Sequence, residues 1–365
     1  MRVAYVHDWL VTYRGGEKVL DALLELYPEA PIYTLFYSPS TMPESIRRRT
    51  IHVPKWLNRL KLLRKALLPL LPAAIEALPL EDYDLVISTS SCVAKGVIVG
   101  PETKHLCYIH SPMRYIWDQR QHYLNRKRSF SPKEFLIHLL SQRLRNWDVS
   151  SNNGVDRFVA NSSFVAKRLN RYYRREASVV HPPVELERFF PTGKSLNKAN
   201  YFLVAGAFVT YKRFDLAIQA CERLGVPLKV VGSGPDEKRL RKFAGKNTEF
   251  IIKPNAEAWV TLFQGAKALL FPGIEDFGIT AIEALASHTP LVALEAGGAL
   301  DFVEEGHTGI FFREQTVDSL VEALKRFETS GFEGAKLEAF ANRFSKKAFL
   351  ENIRQELNAL GDDKR

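Results

Sequence analysis

The feature that most constrains the fold is a repeated alternation of short apolar runs with helix-like segments along the chain. The runs form two sets, and no hairpin turn signal separates neighbouring runs. Short apolar runs joined by helices are typical of parallel sheets buried on both faces. We therefore predict an α/β protein, with strands at 3–6, 85–88, 105–109, 157–160 and 178–181, and again at 201–205, 228–231, 249–252, 268–271 and 291–293.

A proline pair separates the two sets of strands. Pro182 and Pro183 stop regular structure, and a polar stretch over 192–200 follows them. A length of 365 residues also suits two domains better than one. We predict two Rossmann-like, doubly wound domains, 1–181 and 182–344, that face a central cleft. The helix predicted within 345–365 is expected to pack back on the first domain.

Composition narrows the class of protein. Hydrophobic residues make up 46% of the chain and charged residues 25%, which is typical of soluble globular proteins. No apolar stretch approaches the ~20 residues that span a bilayer, and the start shows no charged leader with an apolar core. Cys92, Cys107 and Cys221 have neither metal-ligand nor disulfide spacing. We therefore expect a cytosolic protein.

The net charge of +10 indicates an anionic partner. Nucleic acid, an acidic membrane surface and phosphorylated small molecules all have the required charge. A nucleic-acid partner is not favoured, because the sequence shows no recognised scaffold and no aromatic-basic stacking platform. A generally basic surface that carries no ligand is the alternative that charge alone leaves open.

Two pairs of glycines follow predicted strands. Gly15 and Gly16 enter a helix, where a ligand could approach the backbone and meet free N–H groups. Gly232 and Gly234 precede a helix predicted over 238–243, and their loop could lie flat beneath a nucleobase. Neither pair matches a dinucleotide or P-loop fingerprint, and a plain turn explains each pair equally well.

A basic loop and a loop with a glutamate follow two further strands. Lys212 and Arg213 stand just before a predicted helix, where a diphosphate could collect side-chain and backbone donors. A solvated basic loop is the alternative. Glu275 lies in the loop after strand 268–271, and Glu283 lies in the helix predicted over 280–286. A carboxylate accepts two hydrogen bonds at once, so Glu283 suits the vicinal hydroxyls of a ribose.

The backbone amides between the two glutamates suit an anion or sugar hydroxyls, because they open a helix. The residues of this loop predicted to face such a ligand are Asp276, Phe277, Gly278 and Ile279. Two glutamates at this spacing occur often by chance. The strand–loop–helix context is what points to a site.

The segment from Arg47 to Leu71 is basic and amphipathic. Eight basic residues and no acidic one lie between Arg47 and Lys65. An apolar stripe follows helical spacing and consists of Trp56, Leu60, Leu63, Leu67 and Leu70. Such a basic amphipathic stretch suits an anionic membrane surface, at roughly 1 kcal/mol per nearby cation. A helix whose apolar stripe faces the domain core is the alternative.

Taken in order, these segments resemble the GT-B-fold retaining glycosyltransferases called family 4. Glu275 and Glu283 match the E-x7-E segment of that family, and Glu-Asp-Phe-Gly-Ile reads as in its mannosyltransferase-like members. Further motifs of the family are matched at 82–88, 110–118, 161–168, 182–184, 283–287, 289–293, 297–301 and 306–309. Two residues depart from the pattern: Ala207 stands where arginine is usual, and Asp301 stands where glutamate is common.

The resemblance implies a role for each matched residue. Glu283 would hold the donor ribose, and Glu275 would contact the hydroxyls of the transferred sugar. Lys212 and Arg213 would neutralise the diphosphate, and Gly16 would let it approach the first helix. His110, which in isolation would read as a structural histidine, would reach the sugar near the reacting carbon. No metal is expected, since the formal D-x-D at 82–84 matches a strand-preceding motif of the family.

The resemblance also implies a reaction. It is the transfer of a hexose, mannose from GDP-mannose by preference, to a lipid-linked oligosaccharide for bacterial surface polysaccharide. The enzyme would work without a cofactor at the inner face of the membrane. A UDP-sugar-dependent enzyme of the same fold, a GT-B epimerase or phosphorylase, and a non-catalytic nucleotide-sugar-binding protein are the alternatives.

Overall fold

The computed structural model describes residues 1–64, 66–117, 132–191, 198–328 and 330–362. Lys65, Asp118, most of the polar stretch over 192–200 and residues 363–365 therefore lie outside the described residues. The chain forms two compact units, Met1–Pro182 with the chain from Phe349, and Pro183–Ala348. The division falls between the two prolines of the pair at 182 and 183.

The N-terminal unit is built on a seven-stranded sheet. Its strands are β1 (Val3–His7), β2 (Ile32–Thr34), β3 (Ile51–His52), β4 (Leu85–Ser90), β5 (Lys104–Ile109), β6 (Arg157–Ala160) and β7 (Ser178–Val179). They lie in the order β3-β2-β1-β4-β5-β6-β7, and every neighbouring pair is parallel. The helices are α1 (Gly15–Leu23), α2 (Glu44–Arg47), α3 (Lys55–Asn58), α4 (Leu71–Glu76), α5 (Pro132–Ser150) and α6 (Ser163–Tyr173).

The C-terminal unit is built on a six-stranded sheet. Its strands are β8 (Phe202–Ala207), β9 (Leu228–Ser233), β10 (Thr248–Ile252), β11 (Leu269–Phe271), β12 (Leu291–Leu294) and β13 (Gly309–Phe312). They lie in the order β10-β9-β8-β11-β12-β13, again all parallel. The helices are α7 (Phe214–Leu224), α8 (Glu237–Leu240), α9 (Ala256–Gly265), α10 (Ile279–Ala286), α11 (Val317–Phe327), α12 (Gly334–Ala341) and α13 (Lys346–Asp362), which continues in the N-terminal unit from Phe349.

Alternate residues of each central strand pack into different cores, because successive side chains of a strand point to opposite faces. In β1, Tyr5 belongs to one buried cluster and Val6 to another. In β8, Leu203 and Val204 divide in the same way. All four side chains are fully buried. Both faces of each sheet are therefore covered, which is why the strands read as unbroken apolar runs.

The order of strands gives each sheet a switch point beside its first strand. β1 lies between β2 and β4, and β8 lies between β9 and β11. The chain therefore runs from each of these strands first towards one edge of the sheet, and then crosses back to the other side of that strand. Open α/β sheets bind ligands at the carboxyl ends of the strands next to such a switch point. The topology thus directs attention to the residues that follow β1, β4, β8 and β11.

The differences from the predicted elements lie in short segments. The apolar pattern does not predict β2, β3 or β13, which have two to four residues each. The strand predicted over 178–181 ends at Val179, and the helix predicted over 238–243 is α8, which begins at Glu237 and ends at Leu240. The other predicted strands are present, with bounds shifted by at most two residues.

The segment between Arg47 and Leu71 is not one continuous helix, so the helical interpretation of its apolar spacing is wrong. It contains β3, α3 and two 3₁₀ turns (Lys61–Leu63 and Leu68–Leu70) before α4 begins. Pro54 is the N-cap of α3, and Pro69 lies inside the second turn. Proline lacks a backbone N–H and clashes with the preceding turn of a helix, so no continuous helix forms here.

The apolar side chains of this segment are largely exposed. Trp56 is 62% exposed, Leu63 57% and Leu70 58%, whereas Leu57 and Leu71 are buried in the core of the N-terminal unit. The exposed apolar residues alternate along the chain with the basic residues Lys55, Arg59, Lys61 and Arg64. The alternative in which the predicted stripe faces the core therefore fails for most of its members.

Two buried histidines of the first sheet make stability depend on pH. Burial lowers the pKa of His7 and of His105 from 6.5 to about 4. His7 Nδ1 is 2.5 Å from Thr89 Oγ1, and His105 Nε2 is 2.7 Å from Ser88 Oγ. Both rings are therefore neutral in the folded protein, while they bind a proton below about pH 6.5 in the unfolded chain.

We expect the free energy of unfolding to fall as the pH drops from 6.5 towards 4, by about 3 kcal/mol per histidine. The unfolded chain binds more protons in this window, and the loss ends below the folded pKa. Urea titrations at about pH 7.5 and about pH 5 would measure it. In His105→Gln the difference between the two pH values should shrink by about 2 kcal/mol. An undiminished difference in that variant would contradict the assignment.

Candidate functional site

In the N-terminal unit, the carboxylate of Asp8 organises the switch point. Asp8 follows β1 and is 2% exposed. Its Oδ2 accepts hydrogen bonds from the backbone N–H groups of Ser91 (2.7 Å) and Cys92 (2.9 Å). Its Oδ1 accepts from Val93 (2.8 Å) and Ala94 (2.7 Å). The loop after β4 is therefore bound to the end of β1, and Asp8 takes up those four backbone donors.

The structure brings Gly16 and His110 together. Helix α1 begins at Gly15, and His110 follows β5, two strands away in the sheet. A Cβ placed on Gly16 would lie 3.5 Å from His110 Nε2. The ring of His110 also stands edge-on to Tyr108, with centroids 5.3 Å apart. A side chain larger than hydrogen at position 16 would therefore fill the space beside the imidazole.

In the C-terminal unit, Lys212 and Glu275 form an ion pair at the switch point. Lys212 lies in the 3₁₀ turn after β8, and Glu275 lies in the loop after β11. The distance from Lys212 Nζ to Glu275 Oε1 is 2.7 Å. The side chains are only 9% and 15% exposed. Two residues that are 63 positions apart therefore meet because β8 and β11 are neighbours in the sheet.

The loop after β11 is held in a conformation that requires glycine. Gly278 is the N-cap of α10 and has a φ of +124°, which residues with a Cβ rarely adopt. A Cβ at this position would also lie 2.6 Å from Cζ of Phe271. Gly298 N donates to the carbonyl oxygen of Glu275 at 2.8 Å, so the matched segment 297–301 supports the loop. Asp276 and Phe277 are buried beside it.

Glu283 lies on the buried side of α10, where the side chains of Trp259 and Arg188 approach its carboxylate. The indole Nε1 of Trp259 donates to Glu283 Oε2 at 3.2 Å. The guanidinium of Arg188 lies 3.7 Å from Glu283 Oε1. Glu283 is 6% exposed, so its carboxylate is oriented by these neighbours rather than by water.

Arg213 has different partners from Lys212. It is a non-glycine residue with φ +53°, and its Nε lies 3.2 Å from Asp215 Oδ1. Its Nη1 donates to Gln315 Oε1 at 3.2 Å. Arg239 bonds to Asp236 at 2.7 Å and lies 3.5 Å from Asp215. Two arginines and two aspartates thus connect the loops after β8 and β9.

Gly232 and Gly234 allow the ends of β8 and β9, and the segments that follow them, to approach each other. A Cβ on Gly232 would lie 1.9 Å from the carbonyl oxygen of Gly206, and the φ of Gly232 is +139°. A Cβ on Gly234 would lie 2.5 Å from the carbonyl oxygen of Phe208. Backbone packs directly on backbone here, so both glycines are needed for the close approach whether or not a nucleobase lies above them.

The sequence did not single out several residues that shape these sites. They are Asp8, Arg188, Asp215, Arg239, Trp259 and Gln315. Two of these residues could have been found from the sequence, because Asp8 stands just after the first strand and Asp215 stands in the first turn of α7. Trp259 and Arg188 gave no such signal, since both lie outside the motifs matched around Glu283.

Among the described residues, no three His, Cys, Asp or Glu side chains are grouped so that they could hold a metal ion. Within the same residues, no helix combines the length and the apolar character needed to cross a membrane.

Two family models match consecutive parts of the chain. One, described as Glycosyltransferase Family 4, matches residues 13–188. The other, described as Glycosyl transferases group 1, matches residues 187–349. The chain is a family-4-like protein of the GT-B glycosyltransferase fold. The α/β, two-domain class predicted from the strand pattern is thereby confirmed.

Individual relatives match shorter parts. An uncharacterized glycosyltransferase of Methanocaldococcus jannaschii is 24% identical over 216 residues, or 57% of this chain and 60% of that protein. O-antigen chain mannosyltransferase C of Escherichia coli is 33% identical over 133 residues, or 34% of this chain and 36% of that protein. The match thus covers less than two thirds of either relative.

Solved structures match the fold over nearly the whole chain. Anabaena HepE in complex with UDP superposes with a TM-score of 0.70 at 15% identity, covering 98% of this chain and 100% of HepE.

Proposed function

We propose that this family-4-like protein transfers a hexosyl group from a nucleoside-diphosphate sugar to an acceptor hydroxyl, with retention of the anomeric configuration. The preferred donor is GDP-mannose, and the acceptor is a lipid-linked oligosaccharide of bacterial surface polysaccharide synthesis. The enzyme needs no metal ion and no cofactor, and it works at the inner face of the cell membrane.

The observation that carries the proposal is the Lys212–Glu275 pair at the switch point of the second sheet. It places one buried cation and one carboxylate 2.7 Å apart beside the N-terminus of α10. Glu283 lies about one turn inside α10 and offers a second buried carboxylate. A cation for phosphate, a carboxylate for sugar hydroxyls and a carboxylate for ribose are the groups that a nucleotide sugar requires.

The chemical demand on these residues is to stabilise charge. Negative charge builds on the leaving diphosphate while the sugar ring becomes oxocarbenium-like, and donors held in place in advance lower that barrier. In the proposal, Lys212 and the first N–H groups of α10 stabilise the diphosphate. Glu275 holds the hydroxyls of the transferred sugar, Glu283 holds the ribose, and His110 contacts the sugar near the reacting carbon. Arg213, already bound to Asp215 and Gln315, acts from the edge of this group.

The identity of the sugar and nucleotide rests on likeness. The mannosyltransferase of Escherichia coli supports mannose, and the Glu-Asp-Phe-Gly-Ile segment at 275–279 supports it as well. The structure of HepE with UDP favours a second candidate, a UDP-sugar-dependent hexosyltransferase. A non-catalytic protein that binds nucleotide sugars is the remaining alternative. It would make every contact described above but would show no turnover.

Two measurements, made one after the other, test the proposal. The melting temperature in the presence of GDP, UDP or ADP identifies the nucleotide, because a ligand that binds only the native state stabilises it. Incubation with nucleotide sugars should then release that nucleotide slowly even without an acceptor. GDP is expected to raise the melting temperature most. Binding without any release, with or without lipid acceptors, would favour the non-catalytic alternative, and no binding at all would overturn the proposal.

The exposed segment 55–64 supports the membrane part of the proposal. It presents Trp56, Leu62 (87% exposed) and Leu63 beside Lys55, Arg59 and Lys61. Exposed aromatic and aliphatic side chains next to cations match the chemistry of an anionic bilayer surface. An acceptor carried on a lipid would be reached from such a surface.

Reversal of three charges tests this surface. Lys55→Glu, Arg59→Glu and Lys61→Glu together are expected to weaken co-sedimentation with vesicles of phosphatidylcholine and phosphatidylglycerol. The expected loss is about 3 kcal/mol, or on the order of 100-fold. The matched control reverses Arg241, Lys325 and Lys336, three surface cations of the C-terminal unit that pair with glutamates along their helices. Equal sedimentation of both variants would contradict the assignment.

A further inference from the structure

We propose that Trp259 is a positioning residue for Glu283, and that its indole N–H holds the carboxylate in the orientation that recognises a nucleotide ribose. This inference rests on the proposed function, in which Glu283 binds the ribose. It adds a residue on a different helix that lies outside the family motifs matched in the sequence.

The geometry couples two neighbouring helices. Trp259 belongs to α9 and Glu283 to α10, and Nε1 of the indole is 3.2 Å from Oε2 of the carboxylate. The start of α9 is fixed, since the side chain of Asn255 accepts a hydrogen bond from Ala258 N at 2.8 Å. The indole packs against Phe263, with ring centroids 5.3 Å apart. The donor is therefore held by its own helix and not by Glu283 alone.

Arg188 approaches the other oxygen of the same carboxylate. Its Nη2 lies 3.7 Å from Oε1, and its guanidinium lies over the ring of Phe189 at 4.7 Å. The side chain of Arg188 is 39% exposed, so water weakens this contact. The indole of Trp259 is partly buried and packs against the hydrophobic core of the C-terminal unit. We therefore expect Trp259 to set the orientation of the Glu283 carboxylate, and Arg188 to contribute positive charge beside it.

A fixed carboxylate matters because a glutamate side chain loses rotational freedom when it binds a diol. An indole that already holds Oε2 removes part of that loss before the ligand arrives. A carboxylate oxygen accepts more than one hydrogen bond, so the indole contact is compatible with a ribose hydroxyl. The benefit should therefore appear only for ligands that carry the ribose hydroxyls.

The test compares two ligands and five proteins. The ligands are the nucleoside diphosphate that raises the melting temperature most and its 2′,3′-dideoxy analogue, each measured by calorimetric titration. The wild type is expected to prefer the ribose form, and Trp259→Phe should lower this preference by roughly 5- to 10-fold. Affinity for the dideoxy analogue should not change. Phenylalanine keeps the packing on Phe263 and removes only the N–H donor.

Three further proteins, namely Trp147→Phe, Glu283→Gln and the double variant of Glu283→Gln with Trp259→Phe, separate positioning from structure. Trp147→Phe removes the same kind of donor, an indole 2.6 Å from Glu76, in the N-terminal unit, and should leave the preference unchanged. In Glu283→Gln, adding Trp259→Phe should have no further effect on the preference, because the two residues act through one carboxylate.

The outcomes are distinguishable. An unchanged preference in Trp259→Phe, or an equal loss of affinity for both ligands, would overturn the positioning role while leaving the proposed function intact. A wild type that binds both ligands equally would overturn the ribose role of Glu283 and the inference with it. A wild type that binds no nucleotide would overturn the proposed function itself.

Discussion

Lys212→Ala is expected to lower kcat for sugar transfer by roughly 100- to 1,000-fold. The ammonium group of Lys212 is the buried cation at the switch point of the second sheet, and removal of one such stabilising donor costs this much in comparable sites. The variant should also bind nucleoside diphosphate roughly 10-fold more weakly, since a charged hydrogen bond is lost. Steady-state kinetics with the identified donor, together with product titration, would measure both effects.

The loss of Lys212 also leaves Glu275 without its ion-pair partner, so stability must be controlled. The melting temperature of the variant gives this control. Lys267→Ala is the matched variant, because Lys267 pairs with Glu328 at 2.6 Å on the surface of the same unit. That variant should keep the full rate. Comparable rates for Lys212→Ala and the wild type would show that the diphosphate does not lie beside Lys212.

Asp148→Leu is expected to lower the free energy of unfolding of the N-terminal unit by about 3–5 kcal/mol. Asp148 is fully buried, and its Oδ1 is 3.2 Å from Nζ of Lys95, which is 1% exposed. Its Oδ2 accepts from Trp117 Nε1 (2.7 Å) and Tyr173 OH (2.8 Å). Leucine would leave the buried ammonium group of Lys95 without its ion-pair partner, and the Trp117 and Tyr173 hydrogens without their acceptor. The uncompensated buried charge is the main physical cause of the loss.

Urea unfolding followed by tryptophan fluorescence would measure this loss, because Trp9, Trp56, Trp117 and Trp147 all belong to the N-terminal unit. The double variant Lys95→Met with Asp148→Leu should recover part of the stability, since no unpaired charge remains. Asp318→Ala, which breaks an exposed ion pair with Arg223, should cost less than about 1 kcal/mol. A cost that small for Asp148→Leu would show that the buried pair contributes little.

Local pattern predicted most of the architecture. The long central strands were predictable because both faces of each sheet are buried, so that strands such as β1 and β8 read as unbroken apolar runs. The proline pair at 182 and 183 pointed to the division of the chain. Short edge strands such as β3 gave no signal, because two residues cannot display a period.

Helical spacing misled in one place. Trp56, Leu60 and Leu63 recur at intervals of three and four residues, but the chain forms a short helix and 3₁₀ turns there. Periodicity reports which residues could share one face, whereas proline and the packing of Leu57 and Leu71 decide whether a helix forms.

The sequence by itself determined the class of fold and the residue types of the candidate site, because strand periodicity and loop motifs are local properties. Glu275, Glu283 and Lys212 were visible as residues, but which of them meet was not. Only the tertiary structure decided that Lys212 pairs with Glu275, that Asp8 binds the loop after β4, and that Trp259 holds Glu283. These contacts depend on the order of strands in the sheet and on the packing of neighbouring helices. That order brings together residues far apart in the chain, and no local pattern encodes it.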